Sequence, residues 1–150
     1  MIKILRTSSD NEHFQNLVAQ LDTDLAHRDG EDHSFYNQFN SIARIKYALV
    51  IYKHDLPVGC GAIKELEPDS MEVKRMYVSP EHRGKGLATQ LLTGLETWAK
   101  ELSYKKCVLE TGKRQPEAIA LYKKNGYKVI PNYGQYIGIE NSVCFEKVLS

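Results

Sequence analysis

A strand pattern, a glycine turn and a helix pattern follow one another within residues 71–102. Residues 71–78 alternate and are rich in Val, Met and Tyr, which is typical of a β-strand. Pro80 cannot donate to a sheet ladder, so the strand is expected to end before it. After the turn at residues 83–86, apolar residues recur at helical spacing and predict an amphipathic helix: Leu87, Leu91, Leu95 and Trp98.

The turn has the properties of a seat for phosphate. Gly84 and Gly86 have no Cβ, so a ligand can approach their backbone closely. The first N–H groups of the following helix have no partner inside it, and the helix dipole adds partial positive charge there. Arg83 and Lys85 add full charges. This order of elements predicts phosphate binding; the alternative is an ordinary connection in which the glycines serve only backbone geometry.

The turn lacks the features of two common phosphate motifs, the Gly-Lys-Ser/Thr ending of a Walker loop and the third glycine of the dinucleotide fingerprint. Residues 83–88 instead have the sequence Arg-Gly-Lys-Gly-Leu-Ala. This resembles Gln/Arg-x-x-Gly-x-Gly/Ala, the acetyl-CoA pyrophosphate signature of the GCN5-related N-acetyltransferases (GNAT). Residues 118–127, Ala-Ile-Ala-Leu-Tyr-Lys-Lys-Asn-Gly-Tyr, resemble a second family segment, A-x-x-L-Y-x-x-x-G-F/Y. The resemblance covers about residues 45–130.

The resemblance implies a fold, an activity and a co-substrate. The fold is α/β, a GNAT-like acyl-CoA N-acyltransferase fold with a central mixed, twisted sheet and helices on both faces. The activity is transfer of an acetyl group from acetyl-CoA to the primary amine of a small molecule, amino-acid-like or polyamine-like. Two alternatives stay open: a protein or peptide N-acetyltransferase, and a non-catalytic acyl-CoA-binding module on the same fold. Family members are often dimers, so a homodimer is an open expectation.

Composition limits the class of protein. A length of 150 residues predicts a single domain over residues 1–150, and 42% hydrophobic with 26% charged residues is an ordinary globular composition. The net charge of +1 gives no basis for binding nucleic acid or an acidic membrane. The N-terminus lacks a signal-peptide core, and no apolar run approaches the length of about 20 residues that spans a bilayer. The expected location is therefore cytoplasmic.

The three cysteines are Cys60, Cys107 and Cys144, and each lies in an apolar, strand-like run. This placement favours buried thiols in a reducing compartment. No histidine pair has the spacing of a zinc site, so no metal is expected.

Periodicity predicts the remaining elements. Ser9 or Asp10 is expected to cap a helix that runs to about Leu25, and Asn125-Gly126 is expected to end a later helix. The strand at 106–111 follows a helix, so it is expected to lie parallel to the strand at 71–78. The predicted strands are 2–6, 47–52, 58–65, 71–78, 106–111, 127–130 and 142–148, and the predicted helices are 10–25, 34–42, 87–102 and 116–124.

Acetyl transfer needs one group that removes the amine proton and another that protonates or stabilises the leaving thiolate. GNAT members often carry a basic side chain or a Glu eleven residues before the first motif residue, where Glu72 stands. The resemblance therefore makes Glu72 the general base, directly or through water; the alternative is a solvated carboxylate paired with Lys74 or Arg75. Tyr122 matches the family tyrosine that faces the CoA sulfur as general acid; the alternative is a packed, amphipathic tyrosine.

Strand alternation predicts one shared face for Glu72, Lys74, Met76 and Val78. The resemblance implies that the backbone of Met76 and Val78 pairs with the pantetheine arm. It also implies that neighbouring strands splay apart here, leaving the Met76 N–H to polarise the thioester carbonyl.

The remaining cofactor residues follow from the two matched segments. Gln115 stands where the family often carries Asn, and it keeps the amide on a longer side chain. Arg114, Lys123 or Lys124 is a candidate for the CoA 3′-phosphate; the alternative is an ordinary solvated side chain. The complete expected cofactor-binding set is Met76, Tyr77, Val78, Arg83, Gly84, Lys85, Gly86, Leu87, Ala88, Thr89, Gln115 and Tyr122.

The acceptor site is expected between the early helices, about residues 22–39, and the loop at 131–141, because the family places it there. The acidic run at residues 22–32 favours a cationic amine by long-range attraction. Three tyrosines are candidates for an apolar or cation–π wall: Tyr36, Tyr133 and Tyr136. The alternative is a solvated acidic loop with tyrosines packed on the sheet.

Overall fold

Seven strands form one mixed sheet in residues 1–29 and 45–150, the part of the chain that the computed structural model describes. The strands are β1 (Ile2–Thr7), β2 (Tyr47–Lys53), β3 (Leu56–Glu67), β4 (Ser70–Val78), β5 (Lys106–Gly112), β6 (Lys128–Ile130) and β7 (Ser142–Val148). The helices are α1 (Glu12–Asp29), α2 (Leu87–Glu101) and α3 (Pro116–Lys124). The order across the sheet is β1-β2-β3-β4-β5-β7-β6.

The sheet buries a core on each face. On one face, the apolar side of α1 packs against β2 and β3, with Phe14, Leu17, Val18 and Leu21 all buried. On the other face, Leu87, Leu91, Leu92 and Leu95 of α2 pack into the larger core. The apolar spacing of both helices explains which side of each is buried. The predicted α/β class, a mixed sheet with helices on both faces, is confirmed.

Most element bounds agree with the sequence prediction to within a few residues. The parallel pairing of β4 with β5 is confirmed, and α3 has the predicted bounds. The predicted N-cap of α1 is wrong. Asn11, not Ser9 or Asp10, precedes this helix, and its Oδ1 accepts a 2.9 Å hydrogen bond from the Phe14 N–H. The predicted helix at 34–42 lies outside the described residues.

Strand β4 contains a bulge that the alternation pattern does not reveal. Ala62 of β3 pairs with Lys74, and Cys60 pairs with Tyr77, so Gly61 alone faces two residues of β4. Arg75 occupies the bulge in the left-handed region, with φ of 60°. The buried Cys60 thiol donates to the Arg75 carbonyl at 3.3 Å, and burial raises the pKa of that thiol to about 12. The bulge is thus fixed from within the sheet.

The bulge overturns the prediction that Glu72, Lys74, Met76 and Val78 share one face. Before it, Met71 and Val73 face the α2 core, which leaves Glu72 and Lys74 on the α1 side. The extra residue then shifts the alternation, so Met76 and Val78 join the α2 core and Tyr77 joins the α1 core. The prediction failed because strict alternation assumes an unbroken register.

Strands β4 and β5 pair only over their first residues. The parallel register joins Ser70, Met71 and Glu72 to Lys106, Cys107 and Val108. Beyond that point β5 continues to pair with β7 as far as Gly112, while β4 turns away through its bulge. A wedge therefore opens between the two strands in the middle of the sheet. In the described part of the chain, no helix has the length and apolar character needed to cross a bilayer.

Candidate active site

Two adjoining clefts occupy the wedge between β4 and β5. The first is lined by β4, the end of β5 and residues of α1, and it contains Glu72 and Lys74. The second extends from β4 to the glycine turn and is closed by α3. Both clefts share a wall formed by Leu21, Met76, Gln115, Ala118 and Tyr122. A long ligand can therefore run through both.

The glycine turn lies at one end of the second cleft. Gly84 and Gly86 have positive φ of 77° and 80°, and a Cβ built on either meets no atom within 4 Å. Gly86 is the N-cap of α2 and offers no side-chain oxygen to the first N–H groups. These amides are left for a ligand at an exposed position. The turn therefore has the backbone shape, the open space and the donors that a pyrophosphate needs.

The two basic residues of the turn are placed differently. The Arg83 Nε–H donates to the Val78 carbonyl at 2.7 Å, and its guanidinium lies 5.4 Å from the centre of the Tyr77 ring. Arg83 thus ties the turn to the end of β4 while lining the second cleft. Lys85 is exposed, and it lowers the pKa of Lys53, first through direct hydrogen-bonding contact between the two amines and then through repulsion between their like charges. Lys53, at the end of β2, was not among the predicted residues.

Most of the expected cofactor-binding residues come together in the second cleft: Met76, Tyr77, Val78, Arg83, Gly84, Ala88, Gln115 and Tyr122. The other expected residues, Lys85, Gly86, Leu87 and Thr89, lie in the turn or the first turn of α2 beside it. Thr89 also accepts a 3.4 Å hydrogen bond from the Asn125 side chain, which links the start of α2 to the end of α3. Leu87 is buried in the core, so its contribution to a ligand is limited to its backbone.

Met76 lies at the bulge, where β4 leaves the ladder. Neither Arg75 nor Met76 has a register partner on β3, and β5 has already diverged. The Met76 side chain covers Gly61, where a Cβ would stand only 2.6 Å from Met76 Sδ. Gly61 therefore makes room for the side chain, and the Met76 backbone is left beside the wedge.

Tyr122 stands on α3 at the junction of the two clefts. Its ring is 6% exposed and makes an edge contact with Tyr127, with ring centres 5.8 Å apart. Burial, with a smaller effect of Glu110, raises the pKa of the Tyr122 hydroxyl above its ordinary value. The hydroxyl therefore stays protonated at neutral pH, as a proton or hydrogen-bond donor must.

Glu72 is the last β4 residue that pairs with β5, and it lines the first cleft. It is 6% exposed, so it is not the solvated carboxylate of the alternative interpretation. The Tyr133 hydroxyl donates to Oε2 at 2.7 Å, and Lys74 Nζ lies 3.8 Å from Oε1. Burial and the Glu72 charge raise the pKa of Tyr133, so this phenol remains a donor. One carboxylate oxygen of Glu72 is thus held by the Tyr133 hydroxyl, and the other faces the ammonium of Lys74.

The sequence analysis missed a second carboxylate in the first cleft. Glu110 of β5 lines that cleft, and the Ser142 hydroxyl donates to its Oε2 at 2.7 Å. The sequence signal for this carboxylate was a single charged residue, Glu110, between Leu109 and Thr111 of a predicted strand. Lys74, considered only as a partner of Glu72, also lines the cleft.

The described acidic residues of the run at 22–32 have different surroundings. Asp22 forms a 2.8 Å ion pair with the buried Arg75, so its charge is neutralised and does not attract an acceptor as predicted. Asp24 lines the second cleft rather than the first. Tyr136 is buried and lines the first cleft, beside Tyr133 at a ring-centre distance of 5.8 Å. Tyr36 and the acidic residues from 30 to 32 lie outside the described residues, as do the expected acceptor walls at 30–39.

Within residues 1–29 and 45–150, no group of three or more His, Cys, Asp or Glu side chains is arranged to hold a metal ion. The described cysteines are free and buried.

Comparison with known proteins identifies the architecture. Residues 12–127 match the model of the acetyltransferase (GNAT) family. The chain belongs to the GNAT family. An IAA acetyltransferase of Azospirillum brasilense is 32% identical over 99% of this chain and 98% of its own length. This GNAT protein is therefore an acetyltransferase, as the sequence resemblance predicted.

Solved structures of GNAT proteins agree with the fold. A Klebsiella pneumoniae protein assigned as an acyl-CoA N-acyltransferase superposes with a TM-score of 0.84 and 32% identity, covering 100% of this chain and 99% of the other. The PaiA N-acetyltransferase of Thermoplasma acidophilum, solved in complex with coenzyme A, superposes with a TM-score of 0.74 at 20% identity, covering 99% of each chain. At that identity the second likeness concerns the fold alone.

Proposed function

We propose that this GNAT protein transfers an acetyl group from acetyl-CoA to the primary amine of a small molecule. The supporting observation is the wedge between β4 and β5, which joins the exposed amides of the glycine turn to a cleft containing Glu72 and Tyr122. The co-substrate runs from the turn along β4, with its thioester beside Met76. The acceptor amine approaches from the first cleft.

The cofactor residues follow from this placement. The amides at the start of α2 and the backbone of Gly84 and Gly86 hold the pyrophosphate. The backbone of Met76 and Val78 pairs with the pantetheine arm as an added strand, with Tyr77, Ala88 and Gln115 as its walls. Coenzyme A bound to the Thermoplasma protein of the same fold supports this choice of co-substrate.

The chemistry divides between two side chains. Glu72 accepts a proton from the acceptor ammonium, directly or through water, and the amine nitrogen then forms a bond to the thioester carbon. The Met76 N–H stabilises the oxygen of the tetrahedral intermediate. The carbon–sulfur bond breaks, and Tyr122 donates a hydrogen bond or proton to the leaving thiolate.

The acceptor is proposed to be small because the β6–β7 connection closes on the first cleft: Tyr136 lines the cleft, and Tyr133 reaches Glu72 beside it. The bond from Tyr133 to Glu72 holds this connection against the proposed base. A protein substrate needs an open groove at the same place. Anchored carboxylates at Glu72 and Glu110 favour an acceptor that carries an ammonium group.

The cellular location and the oligomeric state are also proposed. The free, buried thiols of Cys60, Cys107 and Cys144 support a reducing, cytoplasmic location. Exposed Val129 and Val148 on the C-terminal strands support a homodimer through that edge.

The deciding experiment is a panel of amino acids, polyamines, aromatic amines and peptides incubated with acetyl-CoA and the full chain, with free thiol release as the signal. We expect release with small amines and none with peptides of ten or more residues. Release with peptides alone contradicts the small-molecule proposal. Absence of release with every amine, together with tight CoA binding, favours the non-catalytic alternative.

A further inference from the structure

A lysine of the protein itself lies where the acceptor amine is proposed to react. Lys74 stands on β4 and lines the first cleft together with Glu72, Met76 and Tyr122. Its Nζ is 3.8 Å from Glu72 Oε1, and the two side chains are only 10% and 8% exposed. The amine of Lys74 therefore occupies the side of Glu72 that a substrate ammonium would approach.

Charged groups surround Lys74 from three strands. Glu72 on β4 and Glu110 on β5 stabilise its ammonium, whereas Lys64 on β3 and Arg75 in the bulge oppose it. Burial is the largest effect, and the pKa of Lys74 falls below the ordinary lysine value. A larger fraction of this side chain is consequently the neutral, nucleophilic amine than for an ordinary lysine at the same pH.

The amine is also within range of the proposed thioester position. Lys74 and Met76 are separated along the strand by about 7 Å in regular β geometry, and the bulge between them shortens or bends that path. A flexible four-carbon stem spans such a distance, and both residues open onto the same cleft. Holding amine and thioester in one site replaces a bimolecular encounter with an internal reaction.

We propose that Lys74 is an acetyl acceptor within its own molecule when no amine substrate is bound, an inference that rests on acetyl-CoA binding as proposed above. The Lys74 nitrogen forms a bond to the acetyl carbon, and the carbon–sulfur bond of acetyl-CoA breaks. Glu72 takes the proton lost by the nitrogen, and CoA leaves as a thiol after proton donation through Tyr122. The products are an Nε-acetyl-lysine and free CoA, so no oxidant or further reactant is needed.

Acetylation changes the charge of the cleft. A neutral amide in place of the ammonium leaves Glu72 and Glu110 without their shared internal cation, and its added methyl group takes space in the first cleft. The cleft becomes more negative, which favours an ammonium, but the acetyl group blocks the approach of the amine to Glu72. We expect this block to dominate, so that a loaded enzyme without substrate inactivates itself.

The test incubates the full chain with isotope-labelled acetyl-CoA at neutral pH, without any amine, and measures label at each lysine by peptide mass spectrometry. Exposed Lys100 on α2 is the internal control for spontaneous acylation. We expect the label at Lys74 to exceed that at Lys100 by at least about tenfold, as intramolecular effective concentration predicts. The rate constant at Lys74 should stay the same when the protein is diluted.

Two variants sharpen the result. Gly86→Glu, which blocks the phosphate seat, should reduce label at Lys74 to the level of Lys100 and leave Lys100 unchanged. Lys74→Arg keeps the positive charge and should reduce the mass increase of the protein to the background of spontaneous acylation. Equal label at Lys74 and Lys100 in the wild type, or a rate at Lys74 that grows with protein concentration, overturns the proposal.

The amine panel run on the same preparation separates this inference from the proposed function. Thiol release with a small amine, but no label at Lys74, overturns the self-acetylation and leaves the proposed function standing. Label at Lys74, with no thiol release beyond the single equivalent that self-acetylation itself produces, supports self-acetylation and contradicts the small-amine proposal. Absence of both signals overturns both.

Discussion

The hydroxyl of Tyr133 donates a 2.7 Å hydrogen bond to Oε2 of Glu72, across 61 residues of sequence. This contact joins the connection after β6 to the last paired residue of β4. It fixes the carboxylate that is the proposed base and directs its other oxygen toward Lys74 and the cleft. The geometry makes Tyr133 a positioning residue whose removal should affect turnover more than cofactor binding.

Tyr133→Phe should lower kcat by about 10- to 150-fold and leave the KM for acetyl-CoA unchanged, because a hydrogen bond to a charged group is worth about 1.5–3 kcal/mol. Tyr52→Phe is the control, since its hydroxyl contacts the exposed His13 at 2.8 Å, away from both clefts. Steady-state thiol release measures both variants. A rise in the acetyl-CoA KM with unchanged kcat would place Tyr133 in cofactor binding instead.

Glu72→Gln should lower kcat by about 10²–10⁴-fold and flatten the acidic limb of its pH profile, because the amide cannot accept the amine proton. Glu101→Gln is a matched change at an exposed carboxylate paired with Arg6, and it should leave the profile unchanged. Thiol release across the pH range distinguishes the two. An unaltered acidic limb in Glu72→Gln transfers the role of base to another group, for which Glu110 is the next candidate.

Local signals predicted the regular elements well. Pro116 suits the first turn of a helix and Gly126, with φ of 91°, suits the residue after its end, so α3 was predicted with its observed bounds. The glycine turn was predicted for the same reason, because Gly84 and Gly86 are residues for which positive φ has no steric cost.

Local sequence signals could not predict the bulge or the polar contacts of the site. Arg75 adopts a positive φ that its residue type disfavours, so nothing in the sequence indicates that the alternation changes there. Tyr133–Glu72 and Ser142–Glu110 are contacts between distant segments, which only the folded sheet brings together. The roles assigned to Glu72, Tyr122 and the cofactor residues stay predictions, as does the single domain over 1–150.

Gly86→Glu should weaken CoA binding more than Gly86→Gln, because both add a side chain at a φ of 80° but only Glu repels the pyrophosphate. The strain common to both should lower stability by about 1–2 kcal/mol. Gly138→Glu, at an exposed glycine with the same φ, controls for strain and charge away from the turn. Calorimetric titration with CoA at two salt concentrations measures the difference. Equal affinities for the Glu and Gln variants contradict a phosphate at this turn.

Tyr122→Phe should reduce kcat by about 10²-fold, within the range for loss of an acid catalyst, with CoA affinity nearly unchanged. Tyr127→Phe is the control: its ring touches Tyr122, but its hydroxyl donates to Glu96 at 2.9 Å, so stability rather than turnover should suffer. Because burial raises the pKa of Tyr122, the wild-type rate should not fall through its ionisation below a pH of about 10. Unchanged turnover in Tyr122→Phe removes the acid role.

Asp22→Asn should destabilise the fold by about 1–3 kcal/mol, because it leaves the Arg75 charge without its partner. The Arg75 side chain is 4% exposed whereas that of Asp22 is 37% exposed, so water offsets part of the loss and keeps it below that of a fully buried pair. Glu101→Gln, which breaks the exposed pair with Arg6, should destabilise the fold less than Asp22→Asn, because water and salt screen an exposed pair.

Urea unfolding of the two single variants, followed by circular dichroism, measures this difference. Replacing the whole pair, Asp22→Asn with Arg75→Met, should recover part of the lost stability, because no buried charge then remains without a partner. An Asp22→Asn variant as stable as Glu101→Gln contradicts the structural role of the pair. If the double variant is less stable than Asp22→Asn alone, the Arg75 guanidinium stabilises the bulge through contacts other than Asp22.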